Sequence, residues 1–249
     1  MRGAQKVISS MDGDTEVPMA DHPILSQLPA PERARLLAQS VQHRVRPGTI
    51  LFDQGETPTF QQFLLQGSVH LYGRSIDDRE VLIEVVEAPD LIIPAAVLTN
   101  TPYLMQARVV EDSTLLMIQA SAFRSAVLSE PSLALALIGC LSGQFRRLVR
   151  QVKNLKLRSA LQRVGCYLLV LAAKQGTPRQ VLLPYEKNLI ASQLGITRES
   201  FSRALAELQK IGIEVQGETI IITNPQRLAD ACLPDPLIDT TEHILQVPK

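Results

Sequence analysis

Along residues 41–120, apolar and polar positions switch in short runs, each closed by turn-forming residues. The β-prone runs are Thr49 to Phe52, Gln62 to Leu65, Ser68 to Tyr72, Val81 to Val86 and Thr114 to Ile118. Between them stand Pro47-Gly48, Gln54-Gly55-Glu56, Gly67, Ile76-Asp77-Asp78 and Ala88-Pro89-Asp90. Many short strands with regular turn signals predict an antiparallel barrel or sandwich. Ahead of it, Ile24 to Ser40 carry a helical pattern punctuated by Pro29 and Pro31. Residues 1–20 are polar and aperiodic, which predicts a disordered tail.

The period then changes. Ile138, Leu141, Phe145, Leu148, Val152 and Leu155 follow one another at intervals of 3, 4, 3, 4 and 3, with mainly Ser, Gln, Arg and Lys between them. This narrow seam predicts a dimerisation helix over residues 131–156 that pairs with a second copy as a parallel coiled coil. Gly139 and Gly143 each weaken its upper part by up to ~1 kcal/mol relative to Ala, which predicts a loose onset. A further helix spans Ser159 to Lys174, followed by a short strand at Val181 to Leu183. Glu214 to Thr223 predicts a hairpin turning at Gln216-Gly217, and residues 231–249 show no clear element.

Between strand and hairpin lie two short helices joined by a glycine turn. The first offers Leu189, Ile190 and Leu194, and the second offers Phe201, Leu205 and Leu208 at helical spacing. Gly195 suits a turn that needs positive φ, and Thr197 stands where an N-cap belongs. Opposite the apolar face are Glu199, Ser202 and Arg203, with Arg198 beside them. A helix that buries one side and shows such groups on the other suits a DNA major groove. An ordinary helical hairpin with a solvated charged face fits the same pattern.

The chemistry of those side chains supports base reading. Arg203 can donate twice to guanine O6 and N7, Glu199 can accept from a cytosine amine, and Ser202 can bond or sit against a thymine methyl. Lys187, Asn188, Thr197 and Ser200 are candidates for phosphate contacts that set register. Upstream, Arg146, Arg147, Arg150, Lys153, Lys156, Arg158 and Arg163 form a basic cluster that reads either as a DNA-facing stripe or as a solvated helix face.

Composition narrows the class. The formal net charge is +0, which argues against indiscriminate nucleic-acid binding but not against a local basic stripe. The apolar fraction of 45% and charged fraction of 20% are those of a soluble globular protein, and no apolar run approaches the roughly 20 residues of a membrane span. A cytoplasmic location, without membrane, is therefore expected. Cys140, Cys166 and Cys232 are isolated, which argues against a disulfide framework, a zinc site or a cluster built from closely spaced thiolates, and no metal ligands are assigned. Neither a Ser-His-Asp arrangement nor a phosphate-cradling Gly-rich loop stands out, so no enzymatic activity is expected.

Barrel, dimer helix and winged helix-turn-helix, in that order over residues 22–228, resemble the superfamily of the cyclic-AMP receptor protein and FNR, bacterial transcription regulators. Phe52-x-x-Gly55-Glu56 with Leu65-x-Gly67-Ser68-Val69 is similar to that family's β-roll signature, and Ile196 to Arg203 to its recognition helix. Within it, Ala134 to Leu137 through Leu168 to Ala173, with the Thr101-Pro102-Tyr103 turn, is most similar to the FNR-like regulators of denitrification that answer nitric oxide (the DNR type). The resemblance implies an α+β chain: a β-roll sensing domain over 21–130, the dimerisation helix over 131–156, a winged helix-turn-helix domain over 157–230 and a C-terminal tail over 231–249. It also implies an inverted repeat close to TTGAT–N4–ATCAA as target, with double-stranded DNA, a second copy of the chain and RNA polymerase as partners. Arg198 departs from the FNR branch and resembles the arginine with which the cyclic-AMP branch reads an added guanine, so the outer bases stay open.

The resemblance bears on the effector as well. Where cyclic-nucleotide binders place a ribose-binding Glu, this chain has Pro94, and Tyr103-Leu104-Met105-Gln106 stands in place of their phosphate-gripping Arg-Ser pair. A cyclic phosphate buried without such donors is heavily penalised, so no cyclic AMP is expected. Residues 1–30 contain no cysteine, so no iron–sulfur cluster is expected either. What remains is an expected apolar cavity lined by Leu91, Ile92, Ile93, Pro94, Ala95, Val97 and Leu98, with Leu141 and Phe145 nearby. Haem b suits such a cavity and lets nitric oxide act as the signal. A lipid-like or aromatic ligand fits equally, and so does plain hydrophobic core, which makes a constitutive DNA binder the alternative. None of His22, His43, His70 and His243 reads as an axial ligand ahead of an ordinary surface or strand histidine.

Overall fold

A computed structural model describes residues 22–239 of the chain. The expected tail over 1–20, most of the 231–249 tail and His243 lie outside the described residues. The elements run α1 (Pro23–Ser26), α2 (Ala30–Leu37), β1 (Ser40–Val45), β2 (Ile50–Phe52), β3 (Phe60–Gln66), β4 (Ser68–Arg74), β5 (Glu80–Glu87) and β6 (Asp90–Ile92). They continue with α3 (Pro94–Thr99), β7 (Gln106–Val109), β8 (Ser113–Gln119), α4 (Ala120–Ser129), α5 (Pro131–Leu157), α6 (Ala160–Lys174) and β9 (Gln180–Leu182). The last are α7 (Lys187–Gln193), α8 (Arg198–Gln209), β10 (Ile213–Gln216), β11 (Thr219–Ile222), α9 (Pro225–Cys232) and α10 (Pro236–Asp239). The chain divides into two compact units, and the boundary falls inside α5, between Leu141 and Ser142.

The first unit holds two antiparallel four-stranded sheets, ordered β1-β8-β3-β6 and β2-β7-β4-β5. Their facing sides enclose Phe52, Leu64, Val69, Leu71, Ile92, Ala107, Val109 and Leu115. The outer side of the first sheet contributes Phe63, Leu91, Leu116 and Ile118 to a second core, closed by Ile24, Leu25, Phe123, Leu133 and Leu137. Two-period alternation is what sends neighbouring strand residues to different cores. Gly67, between β3 and β4, has φ +90°, and a Cβ there would meet the Ser113 hydroxyl at 2.2 Å, so only glycine fits.

Several elements differ from the sequence pattern. The helical pattern expected over Ile24 to Ser40 forms two helices, α1 and α2, and Ser40 already opens β1. β1 and β7 were not apparent because Ser-Val-Gln-His-Arg-Val and Gln-Ala-Arg-Val hold few apolar residues; pairing with β8, and with β2 and β4, makes them strands. The helix α4, ahead of Pro131, is likewise additional.

The loose onset expected for the long helix is not found: α5 runs unbroken over 27 residues through Gly139 and Gly143. Its first half carries two apolar faces. Leu133, Ala136, Leu137 and Cys140 enter the outer core of the barrel, and that core holds the upper turns in place. Among the described residues this helix alone has the length and apolar content of a membrane span. Its second half, however, carries Arg146, Arg147, Arg150, Lys153 and Lys156.

In the second unit, α6, α7, α8 and the sheet β10-β11-β9 share one core that includes Leu168, Ile190, Phe201, Leu205, Leu208, Ile220 and Leu228. The hairpin β10–β11 forms as expected, with Gly217 at its turn. The region from 231 onward is not featureless in its described part. Helix α9 ends at Cys232 and α10 follows, because the Asn224 carbonyl side-chain oxygen caps Arg227 N and Asp235 caps Leu237 N.

Candidate nucleic-acid interface

Helices α7 and α8 are joined at Gly195, whose φ is +63°. A Cβ there would come within 2.4 Å of Leu155 Cδ2, so the turn must be glycine for both backbone and space. The Arg163 guanidinium donates to the Leu194 and Gly195 carbonyls at 2.8 and 3.2 Å, satisfying oxygens orphaned at the end of α7. Thr197 caps α8: its hydroxyl accepts from Ser200 N at 3.2 Å and lies 3.1 Å from the Ser200 hydroxyl. These contacts set where the second helix begins.

Helix α8 buries Phe201, Ala204, Leu205 and Leu208 and leaves Arg198, Glu199, Ser202 and Arg203 exposed. The four polar residues thus share the side facing away from the core. Hydrogen bonds from its own backbone amide and the Thr197 hydroxyl, helped by Arg198 and Arg203, hold the Glu199 carboxyl below the usual carboxylate range. It is an acceptor at neutral pH. Arg203 donates to the Ser200 hydroxyl at 3.2 Å, so Ser200 helps to orient that exposed guanidinium. Asn188 is exposed and Lys187 half-buried at the start of α7.

The basic cluster of α5 and α6 is divided. Arg146 and Lys156 are exposed, but Arg158 is buried against Asp239, Lys153 pairs with Asp235, and Arg163 holds the turn. Three of the seven expected stripe cations therefore serve the fold, a role that their spacing alone did not reveal.

Along α5, Ile138, Phe145, Leu148, Val152 and Leu155 are all exposed, Phe145 at 66% and Ile138 at 60%. Leu141 differs: it is half-buried against the outer core of the barrel. Leu135 and Val149 extend the exposed apolar stripe.

The expected effector cavity is not assembled. Leu91 and Val97 belong to the outer core, with Leu98 packed against it, whereas Ile92 and its neighbour Ile93 join the core between the sheets. Pro94 is buried, Ala95 is exposed, Leu141 faces the outer core, and Phe145 is exposed. Ile93 takes a left-handed conformation, φ +40°, at the start of α3; for a β-branched residue this stores roughly 1–3 kcal/mol.

Other polar groups of the barrel are committed to one another. Tyr103 stacks on Phe52 with ring centroids 3.6 Å apart, and burial pushes its hydroxyl up to about 12. Arg108, a cation missed in the sequence, makes a two-pronged pair with Glu80 at 3.1 and 2.8 Å, donates to Gln106 at 2.6 Å and lies over the Tyr72 ring. His22 is a core residue, its ring edge-on to Phe63 and its Nδ1 accepting from Ile24 N, with burial lowering its pKa to about 4. His70 is buried beside the Tyr72 hydroxyl at 3.2 Å. Among the described residues no cluster of three or more His, Cys, Asp and Glu stands ready for a metal ion. The residues of the expected strip therefore pack into two cores and do not surround a single space.

Comparison with known proteins agrees with this architecture. Residues 42–130 match the cyclic nucleotide-binding domain family and residues 162–231 the Crp-like helix-turn-helix domain. The chain is 26% identical over 187 residues to the CRP-like cAMP-activated global transcriptional regulator of Mycobacterium tuberculosis, spanning 73% of this chain and 84% of that one. Among solved structures it is similar in fold to FixK2 from Bradyrhizobium japonicum, with TM-score 0.62 and 22% identity over 77% of this chain and 96% of that one. A mutant of CooA from Carboxydothermus hydrogenoformans aligns with TM-score 0.65 and 22% identity, over 80% of this chain and 90% of that one.

Proposed function

Because the chain belongs to the CRP/FNR family of transcription regulators, we propose that it acts as a homodimer reading an inverted DNA repeat through the outer face of α8. One observation carries this reading: Arg198, Glu199, Ser202 and Arg203 are exposed together, while the opposite side of their helix is locked into the core. Arg203 is assigned to guanine O6 and N7, Glu199 to a cytosine amine and Ser202 to the adjoining base. Lys187 and Asn188, with Thr197 and Ser200 at the α8 N-terminus, are assigned to the phosphates. The exposed seam from Ile138 to Leu155 supports dimerisation, since an apolar stripe of this length rarely faces water unpartnered. A two-fold dimer presents its two heads to half-sites about 34–36 Å apart.

The target in this reading is an inverted repeat close to TTGAT–N4–ATCAA, and the role is regulation rather than catalysis. The protein acts in the cytoplasm, where DNA and RNA polymerase are. In this reading the effector is not cyclic AMP, which is supported by the stacking of Tyr103 on Phe52 and by the pairing of the Arg108 guanidinium with Glu80. A nitric-oxide response through haem is the effector reading that the sequence resemblance to the DNR type suggests. The alternative of a constitutive binder draws support from the closed packing of Leu91, Ile92 and Val97.

Titrating the protein against the TTGAT palindrome and a scrambled duplex, at two salt concentrations, tests the reading. Specific binding that weakens steeply with salt is expected; equal binding to both duplexes rejects it. An absorption spectrum after haem titration, with and without nitric oxide, separates sensor from constitutive binder.

A further inference from the structure

Helix α5 ends at Leu157 and α6 begins at Ala160, so only Arg158 and Ser159 join the seam-bearing helix to the reading head. Ser159 is spent on capping α6, its hydroxyl accepting from Gln162 N and its own amide donating to the Gln162 side chain. Two non-helical residues leave four soft dihedrals between dimer helix and head. Something else must define that angle if two heads are to meet a fixed half-site spacing.

Arg158 is only 9% exposed, an unusual state for a cation at a helix junction. Its Nη1 donates to Asn154 Oδ1 at 3.2 Å and to Asp239 Oδ1 at 2.8 Å, and its Nη2 donates to Asp239 Oδ2. The same Asp239 carboxylate accepts from Asp235 N at 2.8 Å, and the Asp235 carboxylate pairs with Lys153 at 3.4 Å. Thus the short segment Asp235–Asp239 grips both the last turns of α5 and the junction itself.

Its other end is fastened to the head. Helix α9 lies against α6 so closely that a Cβ on Gly165 would meet Cys232 Sγ at 2.0 Å. The Cys166 thiol lies 3.4 Å from the Cys232 carbonyl, and Leu228 is fully buried in the head's core. Residues 225–239 therefore run from the head to the dimer helix as a strap outside the covalent junction.

We propose that Arg158, Asp239, Lys153 and Asp235 form a clasp by which the C-terminal segment sets the angle between α5 and the reading head. They act as positioning residues for DNA recognition. The inference rests on the dimeric reading above and adds a role for chain beyond the winged head. With the clasp closed, the two heads are held at one separation. With it open, each head swings on Arg158-Ser159 and the dimer tolerates other half-site spacings.

The test measures affinity for TTGAT palindromes with spacers of three, four and five base pairs, for wild type and Asp239→Asn. Wild type is expected to prefer one spacer, and the variant to lose about 2- to 30-fold of that preference, the range typical of couplings between sites. A role in stability alone lowers active protein equally for every spacer and leaves the ratio unchanged, and that result overturns the clasp. Lys153→Gln removes a more exposed pair and repeats the measurement should Asp239→Asn not fold; unchanged spacer preference there is equally fatal. A wild type that binds no palindrome of any spacing brings down the DNA-reading proposal, and the clasp with it.

Discussion

The outer face of α8 and the strip from Leu91 to Leu98 both read from the sequence as binding surfaces, yet only the first is brought together. The difference lies in the period. On a helix, Arg198, Glu199, Ser202 and Arg203 return to one side while Phe201, Leu205 and Leu208 take the other. On β6 the period is two, so Leu91 and Ile92, adjacent in the chain, enter separate cores. A run of apolar residues shows that burial will occur. It does not show that the residues will surround one space.

The sharpest way to break this contrast is to truncate the strip. Leu91→Ala and Ile92→Ala are each expected to cost about 2–5 kcal/mol in urea unfolding, the loss for a filled core position. The double variant should cost nearly the sum, because the two side chains lie in different cores. Costs below about 1 kcal/mol for each would restore a ligand cavity. His22 probes the same core by pH. Burial holds its folded pKa at about 4, below the ordinary 6.5, so between those values the unfolded chain takes up a proton that the folded one refuses. Stability is therefore complete above about pH 6.5 and falls toward pH 4, by about 2 kcal/mol between pH 6.5 and 5. His22→Gln should lack that portion of the decline; an identical pH profile removes the assignment.

On the head, substitutions should act on recognition before stability. Arg203→Ala is expected to cost about 1–3 kcal/mol of specific binding and relax one base position, with little change in the unfolding midpoint. Unaltered sequence preference in a binding titration overturns its role. The smallest effect is expected from Thr197→Ala, about 1 kcal/mol of stability from the lost cap. DNA affinity should fall modestly as well, through the lost phosphate contact, and unchanged affinity at equal folded concentration removes that assignment.

Much of the fold was legible because its signals are local. The Gly195 turn, the Thr197 cap and the Gly217 hairpin each depend on residues within a few positions of one another. The strands β1 and β7 were not, since their polar sequences become strands only by pairing with distant partners. Five of the six residues expected along the α5 seam are exposed, whereas Leu141 turns to the barrel, and the buried face from Leu133 to Cys140 needs the barrel to define it. The basic cluster was the most ambiguous signal. Nothing near Arg158 or Arg163 in sequence distinguishes them from Arg146, because their partners, Asp239 and the Leu194 carbonyl, lie 81 and 31 residues away.

The sequence by itself determined the order of barrel, long helix and reading head, and the four side chains that α8 turns outward, because helical periodicity and capping are set within a few residues. Tertiary structure alone decided which apolar residues share a core and which arginines are spent internally. It also decided that the last described helix reaches back to the α5–α6 junction. Those outcomes depend on segments far apart in the chain meeting in space, where burial makes an unpaired charge too costly to keep.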